Sequence, residues 1–263
     1  MNAKDLIRGN NIIWYLLYYD ELIDHKNYQL SYFMHANEDY YNCAHAVSSI
    51  SKKDLKTIEE FYEKRNLVPA FYVDQFSEKE LIPKLIKHGY KETLSQQENW
   101  WVMDLTANKI KNLQKQSFLK CDASTINLNL VSSKKQLEEF IEIDRKTNLL
   151  PDPIATALKK NILSKKYNGA QSHYLLGTVD NIPAFSGYVG IYNNVAYFAE
   201  DGTLENYRGM GLHSYITQNR LLFSFAKGAK LACITCSTEA HTNKTAKKLG
   251  FTLYFSRKLF KKE

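Results

Sequence analysis

Asn206-Tyr207-Arg208-Gly209-Met210-Gly211-Leu212 stands between an extended apolar stretch and a helix-like one. Read as a strand, 195–203 ends just before it. Read as a helix, 211–226 follows with Leu212, Tyr215, Ile216, Leu222 and Phe223 on its apolar positions. Two glycines at such a junction remove Cβ atoms where backbone approaches a bulky group. The unsatisfied N–H groups and dipole of the helix start then attract an anion, and Arg208 adds positive charge. The loop is therefore built like a diphosphate cradle.

The surrounding pattern alternates. Spacing predicts strands over 126–131, 173–179, 184–191, 231–236 and 251–260, and helices over 134–144, 154–163 and 242–249. Asp180-Asn181 and Asn193-Asn194 mark tight turns. The order βααβββαβαβ describes a mixed α/β fold, a sheet with helices on its faces. The first half repeats the end of this plan. Lys87-His88-Gly89-Tyr90 parallels Lys248-Leu249-Gly250-Phe251 at an offset of 161 residues. The same offset lays a helix over 58–65 on 219–226, a strand over 70–74 on 231–235 and a helix over 78–88 on 239–249, with a strand over 100–105 following. The expected organisation is two tandem units, 1–120 and 121–263, joined by a Lys- and Asn-rich connector over 106–122.

Composition narrows the field. The chain has 263 residues, 44% hydrophobic and 24% charged, so it is neither disordered, collagen-like nor a coiled coil. The apolar stretch 12–19 is too short to cross a bilayer. With no signal-peptide pattern, the expectation is a soluble, cytoplasmic protein with no membrane partner. The net charge of +7 lies entirely in residues 121–263, which suits an anionic partner. Four cysteines are too few for a disulfide framework. Cys233 and Cys236 share a strand, where their spacing turns them to opposite faces, and no metal site is expected.

The loop, its flanking strand and helix, the cysteine-bearing strand and the late Leu249-Gly250-Phe251 together resemble the GNAT superfamily of N-acetyltransferases. That family's loop reads Gln/Arg-x-x-Gly-x-Gly/Ala, laid here on Asn206 to Gly211, with Asn206 departing from the pattern. The resemblance spans roughly 126–260. It implies acetyl-coenzyme A as co-substrate and transfer of its acetyl group to a primary amine that attacks the thioester directly. It also implies a bulge near 199–204 and a splay between that strand and 231–236. Cofactor contacts are then expected at Thr203, Leu204, Arg208, Gly209, Met210, Gly211 and Leu212.

Two catalytic roles are open in the sequence. Many family members carry a proton-donating Tyr four residues before the Gly of the Gly-Phe pair, and here that residue is Ala246. Tyr254 or Tyr215 could serve instead, or water, since a thiolate leaves readily near its pKa of ~8.5. For the base, Glu200 is the expected residue over Asp201, since alternation turns the two to opposite faces unless a bulge intervenes. In the first half the offset carries the loop onto His45-Ala46-Val47-Ser48-Ser49-Ile50, which has no glycine, so no cofactor is expected there. The expected partners are an amine-bearing acceptor, a small molecule or peptide, and a second copy of the chain in a homodimer; nucleic acid is not among them. A non-catalytic coenzyme A-binding regulator and a transferase of longer acyl or aminoacyl groups are the competing readings.

Overall fold

The computed structural model describes residues 2–46 and 48–263. Its elements are α1 (Ala3–Leu17), β1 (Glu21–Asp24), β2 (Tyr28–Tyr32), β3 (Ala44–Ala46), α2 (Lys52–Glu63), β4 (Ala70–Asp74), α3 (Glu78–Lys87), β5 (Tyr90–Asp104) and α4 (Ala107–Gln114). They continue as β6 (Ile126–Leu130), α5 (Lys134–Thr147), α6 (Asp152–Ser164), β7 (Gln171–Val179), β8 (Ile182–Tyr192), β9 (Val195–Thr203), α7 (Leu212–Ala226), β10 (Leu231–Ser237), α8 (Thr242–Leu249) and β11 (Thr252–Lys262). The fold is mixed α/β, as expected. No helix among the described residues is long and apolar enough to cross a membrane.

The chain forms two compact units. The first comprises Met1–Trp100, Cys236–Ala240 and Leu253–Glu263; the second comprises Trp101–Thr235 and His241–Thr252. These bounds differ from the expected division at residue 120. The stretch from Trp101 onward goes with the second unit, and the last strand goes with the first.

In the first unit the strands follow the order β1-β2-β3-β4-β11-β5. β11 runs antiparallel to β4, from Arg257↔Asp74 to Lys261↔Ala70. Tyr28, Leu30, Ile58, Tyr62, Phe71, Leu85 and Phe260 are buried together. Helix α2 starts with a capping box: the Ser51 hydroxyl accepts from Asp54 N, and the Asp54 carboxylate accepts from Ser51 N at 2.9 Å.

In the second unit β10-β9-β8-β7-β6 follow in order, with the end of β5 beside β10. Helix α5 buries Leu137, Phe140, Ile141 and Ile143 at helical spacing, and its Ser133–Gln136 capping box fixes the start. Full burial of a side chain such as Phe140 contributes about 1.5–3 kcal/mol. The core runs through Phe185, Val189, Phe198, Leu212, Ile216, Leu221, Ile234, Ala246 and Phe251.

The segment 106–122 is not a loose connector. Thr106 caps α4, which buries Ile110 and Leu113, and Gln218 of α7 donates to Gln116 O at 2.9 Å and to Leu113 O. Its Lys and Asn content conceals this because only two apolar residues per turn-pair are needed to dock so short a helix.

Candidate active site

The loop is assembled by local bonds. After β9 a single 3-10 turn covers Glu205–Tyr207, with Tyr207 N bonded to Leu204 O at 2.9 Å and Arg208 N to Glu205 O at 3.1 Å. Gly209 and Gly211 both adopt left-handed backbone, at φ +84° and +82°. Gly211 is the N-cap of α7 and supplies no side-chain cap, so the first-turn N–H groups of Leu212, His213 and Ser214 lack intrahelical acceptors. The ladder begins with Tyr215 N to Gly211 O at 3.0 Å.

The two glycines serve different purposes. A Cβ on Gly211 would collide with the Phe118 carbonyl oxygen, whereas a Cβ on Gly209 would meet no described atom within 4 Å. Lys120 N bonds Met210 O at 2.9 Å beside this contact. At Gly211 the group that a Cβ would meet is the chain's own 118–119 backbone, while Gly209 faces open space. The Arg208 N–H is likewise spent inside the turn, on Glu205 O.

A cavity of about 680 Å³ opens over this junction. Of the residues expected to hold a cofactor, Thr203, Arg208, Gly209, Gly211 and Leu212 line it. Leu204 and Met210 do not. Leu204 gives its N–H to Ala184 O and faces a shallower hollow with Pro183, while Met210 packs on the core. Four cations border the cavity: Lys120, Arg208, Lys244 and Lys248. The sequence reading missed Lys120, Lys244, His213, Thr245 and His241, because they come from three separate stretches of chain.

β10 pairs with β9 in parallel from Leu231↔Val195 to Ile234↔Phe198, and both strands then run on beyond the pairing. On the other edge of β9 the register with β8 slips between Ser186↔Gly202 and Tyr188↔Ala199, so Glu200 and Asp201 together face one residue. Glu200 takes φ +51° there, a strained backbone for a non-glycine residue.

The bulge sends the two acids to different surroundings. Asp201 lines the cavity, pairs with the fully buried Arg220 and accepts from His213 Nε2 at 3.3 Å. Burial alone would raise the Asp201 carboxyl, but the Arg220 guanidinium and the His213 ring hold it below the ordinary carboxylate value. Arg220 is held in turn by Tyr188 O at 3.1 Å and the Phe198 ring at 4.6 Å. His213 Nδ1 lies 3.0 Å from Thr245 Oγ1.

Glu200, the expected base, is buried and does not line this cavity. Its charge acts instead on Tyr174 and Tyr188. Burial first, then Glu200 against the opposing Ser172 bond, pushes the Tyr174 phenol up to about 12. Tyr254, the expected acid, belongs to the first unit, where it lies 6.2 Å from the Phe76 ring and lines a different cavity. Tyr215 packs against Phe185 at 6.4 Å, and Ala246 is fully buried in the core. No group of three or more His, Cys, Asp or Glu among the described residues is arranged to hold a metal ion.

No family model matches the chain, and no curated protein matches it by sequence. Solved structures do. A GCN5-related N-acetyltransferase from Kribbella flavida superposes with a TM-score of 0.67 at 15% identity, covering 99% of this chain and 95% of that one. One from Sphaerobacter thermophilus gives 0.66 at 12%, covering 100% and 85%. A tandem GNAT protein from the clavulanic acid biosynthesis pathway gives 0.63 at 10%, covering 89% and 77%. The chain has the GNAT fold.

Within that GNAT frame the family loop pattern also fits from Arg208. Arg208-Gly209-Met210-Gly211-Leu212-His213 keeps the leading arginine and the first glycine, and places His213 where the family has Gly or Ala. The first unit carries a matching hollow of about 530 Å³. Its lining residues Ser48, Ile50, Glu80, Leu81 and Lys84 stand 161 positions before Gly209, Gly211, His241, Thr242 and Thr245 of the larger cavity. Val47, in the repeat image of the loop, lies outside the described residues. At the helix start there, Ser51 is the cap and the Asp54 carboxylate in the first turn puts a negative charge where α7 has no side-chain cap. His45 is buried against Arg257 Nη1 at 3.1 Å; burial and then Arg257 hold its ring well below the ordinary histidine value.

Proposed function

We propose that the second unit binds acetyl-coenzyme A and transfers its acetyl group to a primary amine by direct attack on the thioester. The observation that carries this reading is the open left-handed turn at Gly209, leading into an uncapped helix start in a cavity bordered by four cations. A diphosphate fits there on charge and on donors: the N–H groups of Leu212, His213 and Ser214 have no acceptor within the helix, and Arg208, Lys120, Lys244 and Lys248 supply counter-charge. We place the extended pantetheine arm along β9 beyond Phe198, where its pairing with β10 ends. The reactive end would then lie near the bulge at Glu200 and Asp201. We place the acceptor as a small molecule or peptide, the chain in the cytoplasm, and the cofactor in the second unit alone.

Thermal shift and calorimetry with acetyl-coenzyme A test the binding, because a ligand specific for the folded chain raises its melting point by mass action. No shift at millimolar concentration overturns the reading. Thiol release across an amine panel then tests transfer, and parallel runs with longer acyl and aminoacyl thioesters define the group carried. The burial of Ala246 in the place of a proton-donating Tyr favours one alternative, a coenzyme A-binding protein without turnover. Binding without thiol release under any acceptor selects it.

A further inference from the structure

We infer that the hollow of the first unit binds a small organic cation, an ammonium group carried on an aromatic body. The inference is independent of the coenzyme A reading, because every residue it uses belongs to the first unit. The group that decides it is Asp74, the last residue of β4. Asp74 is only 5% exposed, and it lines the hollow of about 530 Å³. A hollow of that size takes a small-molecule ligand.

One oxygen of Asp74 is accounted for. Oδ1 accepts from Phe76 N at 2.8 Å and from Ser77 N at 3.0 Å, which holds the turn leading into α3. Oδ2 meets no hydrogen-bond donor and no cation among the described residues. An amide oxygen would hold the same turn, so the turn explains one oxygen and not the charge. A carboxylate this deeply buried is costly unless a counter-charge meets it.

The cations nearby do not supply one. Arg257, opposite Asp74 on β11, is spent on Glu98 at 2.7 Å and His45 at 3.1 Å. Lys84 lines the hollow but donates to Ile50 O at 3.2 Å. Lys4 lines it from the start of α1 and is exposed. Neither lysine comes within 4.0 Å of an Asp74 oxygen. Glu80, in the first turn of α3, lines the same hollow and adds a second negative charge.

The wall beside these acids is aromatic. Phe76 lines the hollow and is 60% exposed, yet its ring is braced at 5.9 Å by the buried Phe255 and at 6.2 Å by Tyr254. Tyr254 lines the hollow too, and none of the described residues bonds its hydroxyl. An open, braced ring two residues from a buried carboxylate suits an organic ammonium. The carboxylate takes the N–H groups, and the ring face takes the positive charge and the apolar body. An anion would meet Asp74 and Glu80 instead, and a neutral alcohol would leave Asp74 without its counter-charge.

Calorimetric titration of the full chain tests this with phenethylammonium, and with phenethyl alcohol and hydrocinnamate as its neutral and anionic matches. The ammonium should bind saturably and at least about tenfold more tightly than either match, as a hydrogen bond between charged groups allows. Asp74→Asn, which keeps the turn, should remove that preference. Phe76→Leu should weaken the ammonium by roughly threefold to tenfold through loss of the ring face. Because Phe76 is exposed, that variant carries the test even where Asp74→Asn fails to fold. No saturable binding at about 10 mM ammonium overturns the inference. So does binding of the alcohol or the carboxylate as tight as that of the ammonium, or a folded Asp74→Asn variant that binds within about twofold of the parent. None of these outcomes touches the coenzyme A reading of the second unit.

Discussion

Gly209→Glu, compared with Gly209→Ala, isolates what the loop does. Position 209 sits at φ +84°, and a Cβ placed there has no described atom within 4 Å, so neither side chain meets a wall. Both variants carry the same backbone strain, about 1–2 kcal/mol for a non-glycine residue in left-handed conformation. For a chain of this size that lowers the melting point by roughly 2–8 °C, equally in the two. They part on charge. A carboxylate about 5 Å from a bound phosphate, at an effective dielectric constant of ~20, costs about 3 kcal/mol, or roughly a hundredfold in affinity. Calorimetric titration with coenzyme A at low ionic strength reads the difference directly. Added salt should narrow it, because the group is exposed to solvent at the cavity mouth. If the Glu variant binds coenzyme A within threefold of the Ala variant, the anion does not lie on this turn.

Gly211→Ala should behave differently. It adds a collision with the Phe118 carbonyl to the same strain, for a total loss of about 2–5 kcal/mol in urea unfolding, clearly more than Gly209→Ala. Arg220→Met leaves Asp201 buried without its cation and should cost about 3–5 kcal/mol, while Asp201→Asn combined with Arg220→Met should recover most of it; equal losses in single and double variants would refute the pairing. Asp201 also sets an acid limb. Its carboxyl is held low in the folded chain, so the stabilisation is present above the ordinary carboxylate value and fades as pH falls through the folded one. Asp201→Asn should flatten the pH dependence of unfolding free energy on the acid side of the ordinary carboxylate range.

Periodicity made the second unit legible because its elements are long and regularly patterned. β9 and α8 lie where the spacing puts them, and α5 and α6 extend the expected helices by a turn or less. Helix α1 escaped, since Gly9-Asn10-Asn11 are weak helix formers and burial of Leu6, Ile7, Ile13, Leu16 and Leu17 holds them in register. β1, β2 and β3 have four, five and three residues, too few to show a period of two. The loop could be read because glycine spacing is local. The Asp201–His213–Thr245 line could not, because it joins a bulge, a helix start and a distant helix. One trace of it does stand in the sequence: His213, Thr217 and Arg220 fall at i, i+4 and i+7, a polar stripe on a helix whose other positions are largely apolar.

The pairing of β11 with β4 sets a timetable for synthesis. Residues 70–74 leave the ribosome long before 257–261, their partners in the first unit, exist. At about 5–20 residues per second the nascent N-terminal half waits some tens of seconds with an open strand edge. Buried Leu259 and Phe260 arrive only with β11, so a chain stopped before that strand would lose its completed sheet at the beginning of the protein rather than at the point of the stop.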